Sequence, residues 1–391
     1  MTAKTRQQTY LAQRVQNMPA SGIRRFFDLL GSIDGVISLG VGEPDFVTPW
    51  HIRDAAIRSL ERGHTHYTSN YGLPELRSAL AAKLAELYGV RFDPASELLI
   101  TAGVSEGLQL ALSALLDPDD EVLCPDPYYV AYRPCTELAG GKFVPVPTEM
   151  ENDFKVRAAD LERRVTDRTK VILLGYPANP TGAVLELEDL KAIAALASEH
   201  DLVVVADEIY DRLTYGTKHV PFASLPGMRT RTVTLGGLSK AYAMTGWRVG
   251  WIAAPPELVE GMMKVHQYVM MSAPTPAQHA AIEALKYGEE DVRQMVAQYN
   301  LRRRMMVDGF NDMGLLCFEP RGAFFAFPSV RSTGLSDEDF AERLLLEERV
   351  AVVPGSAFGD GGRGHVRACY AASTDEIDEA LRRIKAFVDR C

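Results

Sequence analysis

Short apolar runs alternate with segments of helical periodicity through the middle of the chain, from about residue 97 to 255. Six runs have the length and β-branched character of strands: ELLIT (97–101), EVLCP (121–125), KVILLGY (170–176), DLVVVADE (201–208), TVTLGG (232–237) and RVGWIAA (248–254). Residues 105–116 and 187–200, between them, repeat apolar side chains with the period of a helix. This alternation predicts an α/β fold with a largely parallel, helix-covered sheet. A ligand of such a sheet binds beyond the carboxyl ends of its strands.

The pattern changes after about residue 292. Long polar helical segments at 291–310 and 373–390 flank short strand-like runs such as GAFFAFP and RVAVVPG. We therefore predict a large domain over residues 46–291 and a smaller α+β domain over residues 292–391. The N-terminal segment 1–45 is predicted to join the small domain.

Charge and cysteine usage narrow the functional class. The chain has 391 residues with 52 acidic and 42 basic side chains, a formal net charge of −10 that disfavours binding to nucleic acid or anionic membranes. No stretch approaches the roughly 18 uninterrupted apolar residues of a membrane span, and the polar N-terminus lacks the apolar core of a signal peptide. Five cysteines, an odd number without a CxxC pair, disfavour a disulfide framework or a zinc site. We expect a cytoplasmic protein without a metal.

Polar residues whose side chains can take part in catalysis follow three of the predicted strands. Asp207 ends DLVVVADE, with Tyr210 close behind; Asn179 follows KVILLGY in the turn signal NPTG; Lys240 follows TVTLGG. Taken singly, Asp207 has the ordinary interpretation of a cap or turn residue, and NPTG that of a turn. Lys240 differs because the segment 237–250, GLSKAYAMTGWRVG, has Arg248 as its other charge. Desolvation there favours a neutral amine able to form a Schiff base.

The turn TAGVSEG, at 101–107, lies between a predicted strand and a predicted helix, where backbone N–H groups can bind an anion. The segment GDGGRG, at 359–364, fits GxGxxG but leads into a strand, so the dinucleotide context fails. A Schiff-base lysine, an acid for a ring nitrogen, an asparagine and tyrosine, and a phosphate cradle with an arginine are together what pyridoxal phosphate requires.

The segment GLSKAYAMTGWRVG resembles the cofactor-attachment signature of the class I/II aminotransferases of fold type I, in the aspartate and aromatic branch. The resemblance covers nearly the whole chain. It implies pyridoxal 5'-phosphate as the cofactor. It also implies a large domain built on a mostly parallel seven-stranded sheet flanked by helices, with a smaller α+β domain beside it.

The resemblance also assigns roles to residues of this chain. It implies that Lys240 carries the cofactor and moves the substrate proton, that Asp207 pairs with the ring nitrogen, and that Tyr210 bonds the 3-oxygen of the ring. The remaining cofactor contacts that it implies are Gly103, Val104 and Ser105 at the phosphate, Ser239 and Arg248 beside them, Asn179 at the 3-oxygen, Tyr129 stacked on the ring, and Tyr67 from the neighbouring subunit. In the segment CPDPYYVAY, at 124–132, Tyr128 is the alternative to Tyr129 for the stacked ring. The substrate carboxylate is expected at Gly40, Asn179 and Arg367.

Because Tyr67 reaches the phosphate of the neighbouring subunit in this family, the resemblance implies a homodimer with shared sites. The segments SGIRRFFDLL, ISLGVGEPDF and THYTSNYGLPELR resemble the branch that accepts aromatic amino acids or aspartate, with 2-oxoglutarate as amino acceptor in a ping-pong cycle. Phenylalanines that are candidates to line an aromatic pocket, or alternatively to pack in the core, are Phe26, Phe27, Phe324 and Phe325.

Two other functions stay open at this point. A β-lyase of sulfur amino acids shares the fold and the cofactor but cleaves a different bond. A regulator that uses the fold as a ligand sensor is a further alternative, which the acidic charge disfavours because such proteins bind DNA.

Overall fold

The computed structural model describes residues 10–16, 18 and 33–391. Its strands are β1 (Ile37–Ser38), β2 (Leu98–Thr101), β3 (Glu121–Asp126), β4 (Lys142–Pro147), β5 (Thr169–Gly175), β6 (Val203–Asp207), β7 (Thr232–Gly237), β8 (Gly250–Ala253), β9 (Phe325–Ala326), β10 (Val350–Ala351), β11 (Val353–Pro354) and β12 (Val366–Cys369). The predicted phenylalanines Phe26 and Phe27 lie outside the described residues.

The α-helices of the described ranges are α1 (Gln13–Gln16), α2 (Trp50–Glu61), α3 (Pro74–Tyr88), α4 (Val104–Leu115), α5 (Tyr132–Leu138), α6 (Ala158–Glu162), α7 (Leu187–Glu199), α8 (Pro256–Val269), α9 (Thr275–Tyr287), α10 (Glu289–Asp312), α11 (Asp337–Glu348) and α12 (Thr374–Val388). Short 3₁₀ turns occupy Met150–Asn152, Phe222–Ser224, Met228–Thr230, Arg331–Thr333, Gly355–Phe358 and Asp360–Gly362.

A seven-stranded sheet forms the centre of the molecule, with the strand order β2-β8-β7-β6-β5-β3-β4. Strand β8 runs antiparallel to β2 and β7, and the other pairs are parallel. Strands β2, β3 and β8 are buried throughout, which is why they read as continuous apolar runs. The six predicted strands correspond to β2, β3, β5, β6, β7 and β8.

The seventh strand, β4, is the one that the apolar runs missed. Its sequence KFVPVP contains Pro145 and Pro147, and most of its residues are exposed or half-buried. It pairs with β3 at one edge of the sheet. An edge position tolerates proline, since a strand there has neighbours on one side, and it needs no apolar run.

Helices cover both faces of this sheet. One core cluster joins Leu108 and Leu112 of α4 to Val259 and Met262 of α8 on one face. Another packs Leu190 and Ile193 of α7 against the other face. The sheet is thereby covered, and its charged side chains lie at the strand ends or next to them.

The C-terminal part contains an antiparallel three-stranded sheet in the order β11-β12-β9. Strand β1 pairs in parallel with β10, with Ile37 opposite Val350, so residues 37–38 of the predicted N-terminal segment do contact the C-terminal part. Helix α12 begins with a capping box between Ser373 and Glu376. The domain boundaries at residues 46 and 292 stay a prediction.

None of the helices in the described ranges is long and apolar enough to cross a membrane. The cysteines Cys124, Cys135, Cys317, Cys369 and Cys391 are all free thiols. The cytoplasmic location stays a prediction.

Candidate active site

A cavity of about 480 Å³ lies beyond the carboxyl ends of the central strands. Most of the residues singled out from the sequence line it: Gly40, Val104, Ser105, Tyr129, Asn179, Asp207, Tyr210, Ser239, Lys240, Arg248 and Arg367. They come from positions scattered over more than 300 residues of sequence, and the sheet topology brings them to one place. Gly103 and Tyr67 do not line the cavity.

Lys240 lies three residues beyond β7 and is half-buried. Its Nζ donates a hydrogen bond to the carbonyl oxygen of Gly42 at 2.6 Å. The rings of Tyr210 and Phe324 lie 5.8 and 5.6 Å from Nζ. Burial lowers the pKa of Lys240 to about 8, and smaller charge effects act in both directions: Cys369 and Glu43 raise this pKa, whereas Arg367 and Arg248 lower it. The amine is therefore readily deprotonated close to neutral pH, as a nucleophile requires.

Asp207 is the last residue of β6 and is buried. Its Oδ2 accepts a hydrogen bond from the hydroxyl of Tyr132 at 2.9 Å, and its Oδ1 accepts one from the backbone N–H of Ile209 at 3.2 Å. Burial raises the pKa of Asp207 to about 6, while these hydrogen bonds oppose the rise. The carboxylate thus faces the cavity with room for a further donor on either oxygen.

Tyr132 is a contact that the sequence did not reveal. Its segment, CPDPYYVAY, drew attention to Tyr129 and its neighbour Tyr128. Tyr132 opens α5, and its partner Asp207 lies 75 residues further along the chain. The sequence shows this third tyrosine, but no local pattern connects Tyr132 to a carboxylate.

The start of α4 and Arg248 together form an anion-binding end of the cavity. Gly103 precedes the helix with φ +85°, a conformation that favours glycine. A Cβ at this position would lie 2.5 Å from Nη2 of Arg248, so the missing side chain lets the guanidinium approach the helix start. Arg248 Nη1 donates to the carbonyl of Thr245 at 2.9 Å. The helix N-terminus and the guanidinium both attract an anion such as a phosphate.

Arg367 lies on β12 and is also buried. Nη1 donates to Oδ1 of Asn179 at 2.8 Å, and Nη2 donates to the carbonyl of Gly40 at 2.7 Å. Its Nε has no hydrogen-bond partner among the described residues. Burial lowers the pKa of Arg367. A buried cation held by neutral groups is well suited to receive a carboxylate.

Two aromatic rings lie beneath Arg367 and Tyr210. The guanidinium carbon of Arg367 lies 4.4 Å from the ring centroid of Phe325. Tyr210 packs edge to face on Phe324 and Phe325 at 5.4 and 5.9 Å. Both phenylalanines are fully buried. Of the two alternatives predicted for them, they therefore pack in the core and do not line the pocket.

Tyr129 and Tyr67 differ sharply in their surroundings. Tyr129 lines the cavity, and its ring packs edge to face on Tyr132 at 5.5 Å. Tyr67, in contrast, is 82% exposed and lies outside the cavity of its own chain.

The cavity thus combines a deprotonatable amine, a buried carboxylate, an anion-binding end and a carboxylate-binding guanidinium. The family model described as aminotransferase class I and II matches residues 34–384. The chain belongs to the class I and II aminotransferases.

Relatives of this aminotransferase match it over nearly their full length. A putative aminotransferase of Bacillus subtilis (strain 168) is 50% identical, over 98% of this chain and 99% of the relative. An aspartate aminotransferase of Pyrococcus abyssi is 44% identical, over 96% and 97%. Among solved structures, an aromatic aminotransferase from Pyrococcus horikoshii OT3 superposes with a TM-score of 0.90 at 44% identity, over 93% of this chain and 99% of that one.

These findings confirm the predicted family, the transferase class of the enzyme, and the fold type I architecture with its mostly parallel sheet. The names of the relatives include both aspartate and aromatic aminotransferases.

Proposed function

We propose that this aminotransferase uses pyridoxal 5'-phosphate to move the amino group of an aromatic L-amino acid or aspartate to 2-oxoglutarate, in a ping-pong cycle. The observation that carries the proposal is the joint placement of Lys240, Asp207 and Arg367 around one cavity. These groups match the amine, the ring-nitrogen partner and the carboxylate clamp that such a reaction needs.

The residues of the cavity fit the cofactor. The helix start at Gly103 and the Arg248 guanidinium offer donors to its phosphate, and Ser105 and Ser239 add hydroxyls at the same end. Asp207 offers a buried carboxylate to its ring nitrogen. Asn179 and Tyr210 are the proposed partners of its 3-oxygen, and Tyr129 is proposed to stack on its ring.

When bound, pyridoxal phosphate supplies an aldehyde that condenses with amines and a ring that withdraws electrons from the bonds at the substrate Cα. Lys240 would act as the general base that takes the Cα proton of the substrate and as the acid that donates a proton back. A lowered pKa suits this role, because a base that is half deprotonated near pH 8 can both accept and donate. Asp207, as an anion, favours a protonated ring nitrogen.

Arg367 holds the substrate at its other end. Its guanidinium binds the α-carboxylate in a forked arrangement, with Asn179 and the Gly40 backbone beside it. The substrate is thereby oriented with its Cα hydrogen toward Lys240. Its translational freedom is lost on binding, so the chemical step no longer carries that entropic cost.

A homodimer with shared active sites is part of the proposal. The 82% exposure of the Tyr67 side chain supports a role in which it contacts a second copy of the chain. In that assembly Tyr67 would bind the phosphate held by the neighbouring subunit.

The proposal is tested with the absorbance spectrum of the purified protein before and after adding phenylalanine, tyrosine or aspartate separately. We expect a visible cofactor band that is bleached by the preferred donor and returns on adding 2-oxoglutarate. The band should be lost in Lys240→Ala and kept in Lys191→Ala, which removes an exposed lysine of α7.

Two results would contradict the proposal. A protein that shows no visible band even with added pyridoxal phosphate does not use the cofactor. Release of ammonia and pyruvate from a sulfur amino acid, without any 2-oxo acid, would identify a β-lyase instead.

A further inference from the structure

The carboxylate of Asp207 is hydrogen-bonded to a neighbouring side chain of the cavity wall, Tyr132. The Tyr132 hydroxyl lies 2.9 Å from Oδ2, and both residues are about 95% buried, each with 5% exposure. The hydroxyl can be only the donor in this bond when Asp207 is ionised, because a carboxylate has no hydrogen to give. The backbone N–H of Ile209 serves the other oxygen.

Tyr132 reaches Asp207 over Gly175, where strand β5 has no side chain. Gly175, the last residue of β5, lies directly opposite Asp207 in the parallel pairing of β5 and β6. A Cβ on Gly175 would overlap the Tyr132 hydroxyl and ring. Position 175 therefore has to be glycine for the tyrosine to fit. The Tyr132 hydroxyl occupies the space that a side chain would fill, and it donates to the Asp207 carboxylate.

The two hydrogen bonds have a physical consequence for the carboxylate. With one donor on each oxygen, the side chain cannot rotate without breaking both bonds, so its orientation toward the cavity is fixed. Burial favours the neutral acid and raises the pKa of Asp207, and the Tyr132 hydrogen bond is the leading effect that opposes this rise. Such a bond to a charged group is stronger than one between neutral groups.

We propose that Tyr132 is a positioning residue for the bound cofactor. Its hydroxyl, which passes over Gly175, orients the Asp207 carboxylate and keeps it ionised to receive the ring nitrogen. The proposal rests on the proposed use of pyridoxal phosphate. It assigns a role in cofactor recognition to a side chain that acts through Asp207.

The experiment compares the wild-type holoenzyme with Tyr132→Phe, which removes the hydroxyl and keeps the ring. Three quantities are measured: the pH titration of the visible cofactor band, the dissociation constant of pyridoxal phosphate for the cofactor-free protein, and the pH profile of kcat. We expect the cofactor to bind about ten-fold more weakly, as the loss of one hydrogen bond to a charged group implies. The acid limb of the kcat profile should move about one unit to higher pH, because Asp207 then protonates more easily.

Tyr176→Phe is the matched control. Tyr176 follows Gly175 directly and is similarly buried, but its hydroxyl donates to the carbonyl of Phe154 at 3.0 Å and accepts from the N–H of Val156 at 3.2 Å. Its loss should lower stability while leaving the cofactor band, its titration and the acid limb at their wild-type values. A purely structural tyrosine at 132 would behave in the same way.

Gly175→Ala supplies an independent route to the same state, since its methyl group displaces the Tyr132 hydroxyl. We expect a similar shift of the band titration, and little further shift in the double variant Gly175→Ala/Tyr132→Phe, because both changes break one bond.

Cofactor affinity, band titration and acid limb in Tyr132→Phe that all match those of Tyr176→Phe would overturn the inference. A wild-type protein that forms no cofactor band would instead refute the proposed function itself, and the inference with it. The wild-type spectrum is therefore recorded first, and it separates the two failures.

Discussion

The end of β6 and the loop after it carry consecutive acidic residues with opposite environments. Asp207 faces the cavity, whereas Glu208 points to the other side of the loop and is equally buried. There Glu208 accepts a hydrogen bond from the N–H of Phe222 at 2.8 Å and lies 3.1 Å from Nε2 of His219. Close by, the hydroxyl of Tyr88 donates to Asp211 at 2.6 Å.

The cluster behind the loop places a histidine between two acids. Burial alone would lower the pKa of His219, but Glu208 and Asp211 outweigh it and raise that pKa. Each acid there has a donor from the protein. On the cavity side, Lys240 is held by one carbonyl, and Arg367 has an unpartnered Nε and no carboxylate among its hydrogen-bond partners in the described ranges.

The difference separates two uses of buried charge. Behind the loop, charges pair with one another and hold the fold together. Facing the cavity, charges are left incompletely paired, at a cost in stability that a bound ligand offsets. Substitutions on the cavity side should therefore change catalysis, and those behind it should change stability.

The largest effect is expected for Lys240→Ala. Removing the general base should lower kcat by about 10⁴-fold or more. Unfolding stability should be unchanged or slightly higher, because a desolvated amine is gone. Steady-state kinetics and thermal unfolding, with Lys191→Ala as the control, check both halves; a large loss of stability would place Lys240 with the structural group.

Asp207→Asn tests the cost of burying the cavity-side carboxylate. Because burial raises its pKa from 3.8 to about 6, the folded protein binds this proton more tightly than the unfolded chain. The stabilisation from this group is fully present below about pH 4 and is lost as pH rises through about 6. Without cofactor, the free energy of unfolding of the asparagine variant, relative to that of wild type, should therefore rise by about 3 kcal/mol between pH 4 and pH 8.

Urea unfolding of both cofactor-free proteins at the two pH values measures this gain. Asp201→Asn, which changes an exposed carboxylate at the start of the loop into β6, is the control and should show no such gain. An equal difference between Asp207→Asn and wild type at both pH values would contradict the burial argument.

Arg367→Lys replaces a forked guanidinium with a single ammonium. We expect kcat/KM for the amino donor to fall about 100-fold, mainly through KM, since the two parallel hydrogen bonds to the substrate carboxylate are lost. Arg212→Lys, which changes a guanidinium paired with Glu289 at 2.6 Å away from the cavity, should leave KM unchanged. Similar KM values for Arg367→Lys and wild type would remove the carboxylate role from Arg367.

The smallest effect is expected for Tyr88→Phe, behind the loop. Asp211 then loses its donor at 2.6 Å, which should lower the free energy of unfolding by about 1 to 2 kcal/mol. The cofactor band and kcat should stay at wild-type values, which absorbance and kinetics will check. A changed kcat would show that the two sides of the loop are coupled.

The sequence predicted the central strands well because their apolar runs are long and sharply bounded. Strand β7 has the predicted ends, Thr232 and Gly237. Strand β4 escaped, because an edge strand with two prolines lacks an apolar run. The desolvation of Lys240 was also predicted, since the depletion of charge from residue 237 to 250 is a local property of the sequence.

Long-range pairings were beyond the sequence pattern. Tyr132 and Asp207 are 75 residues apart, and Arg367 and Gly40 are 327 residues apart. Family resemblance gave Arg367 and Gly40 as a pair of substrate contacts, but it was silent on Tyr132. A contact that depends on a missing side chain, as at Gly175, has no signature in periodicity or composition.

The fit between Gly175 and Tyr132 also restricts how the sequence can change over time. Any side chain at position 175 overlaps the tyrosine, so a larger residue becomes acceptable there only after position 132 has become smaller. The reverse order passes through an intermediate that is either strained or displaced from Asp207. The two positions are therefore coupled, and one order of substitution avoids the overlap whereas the other does not.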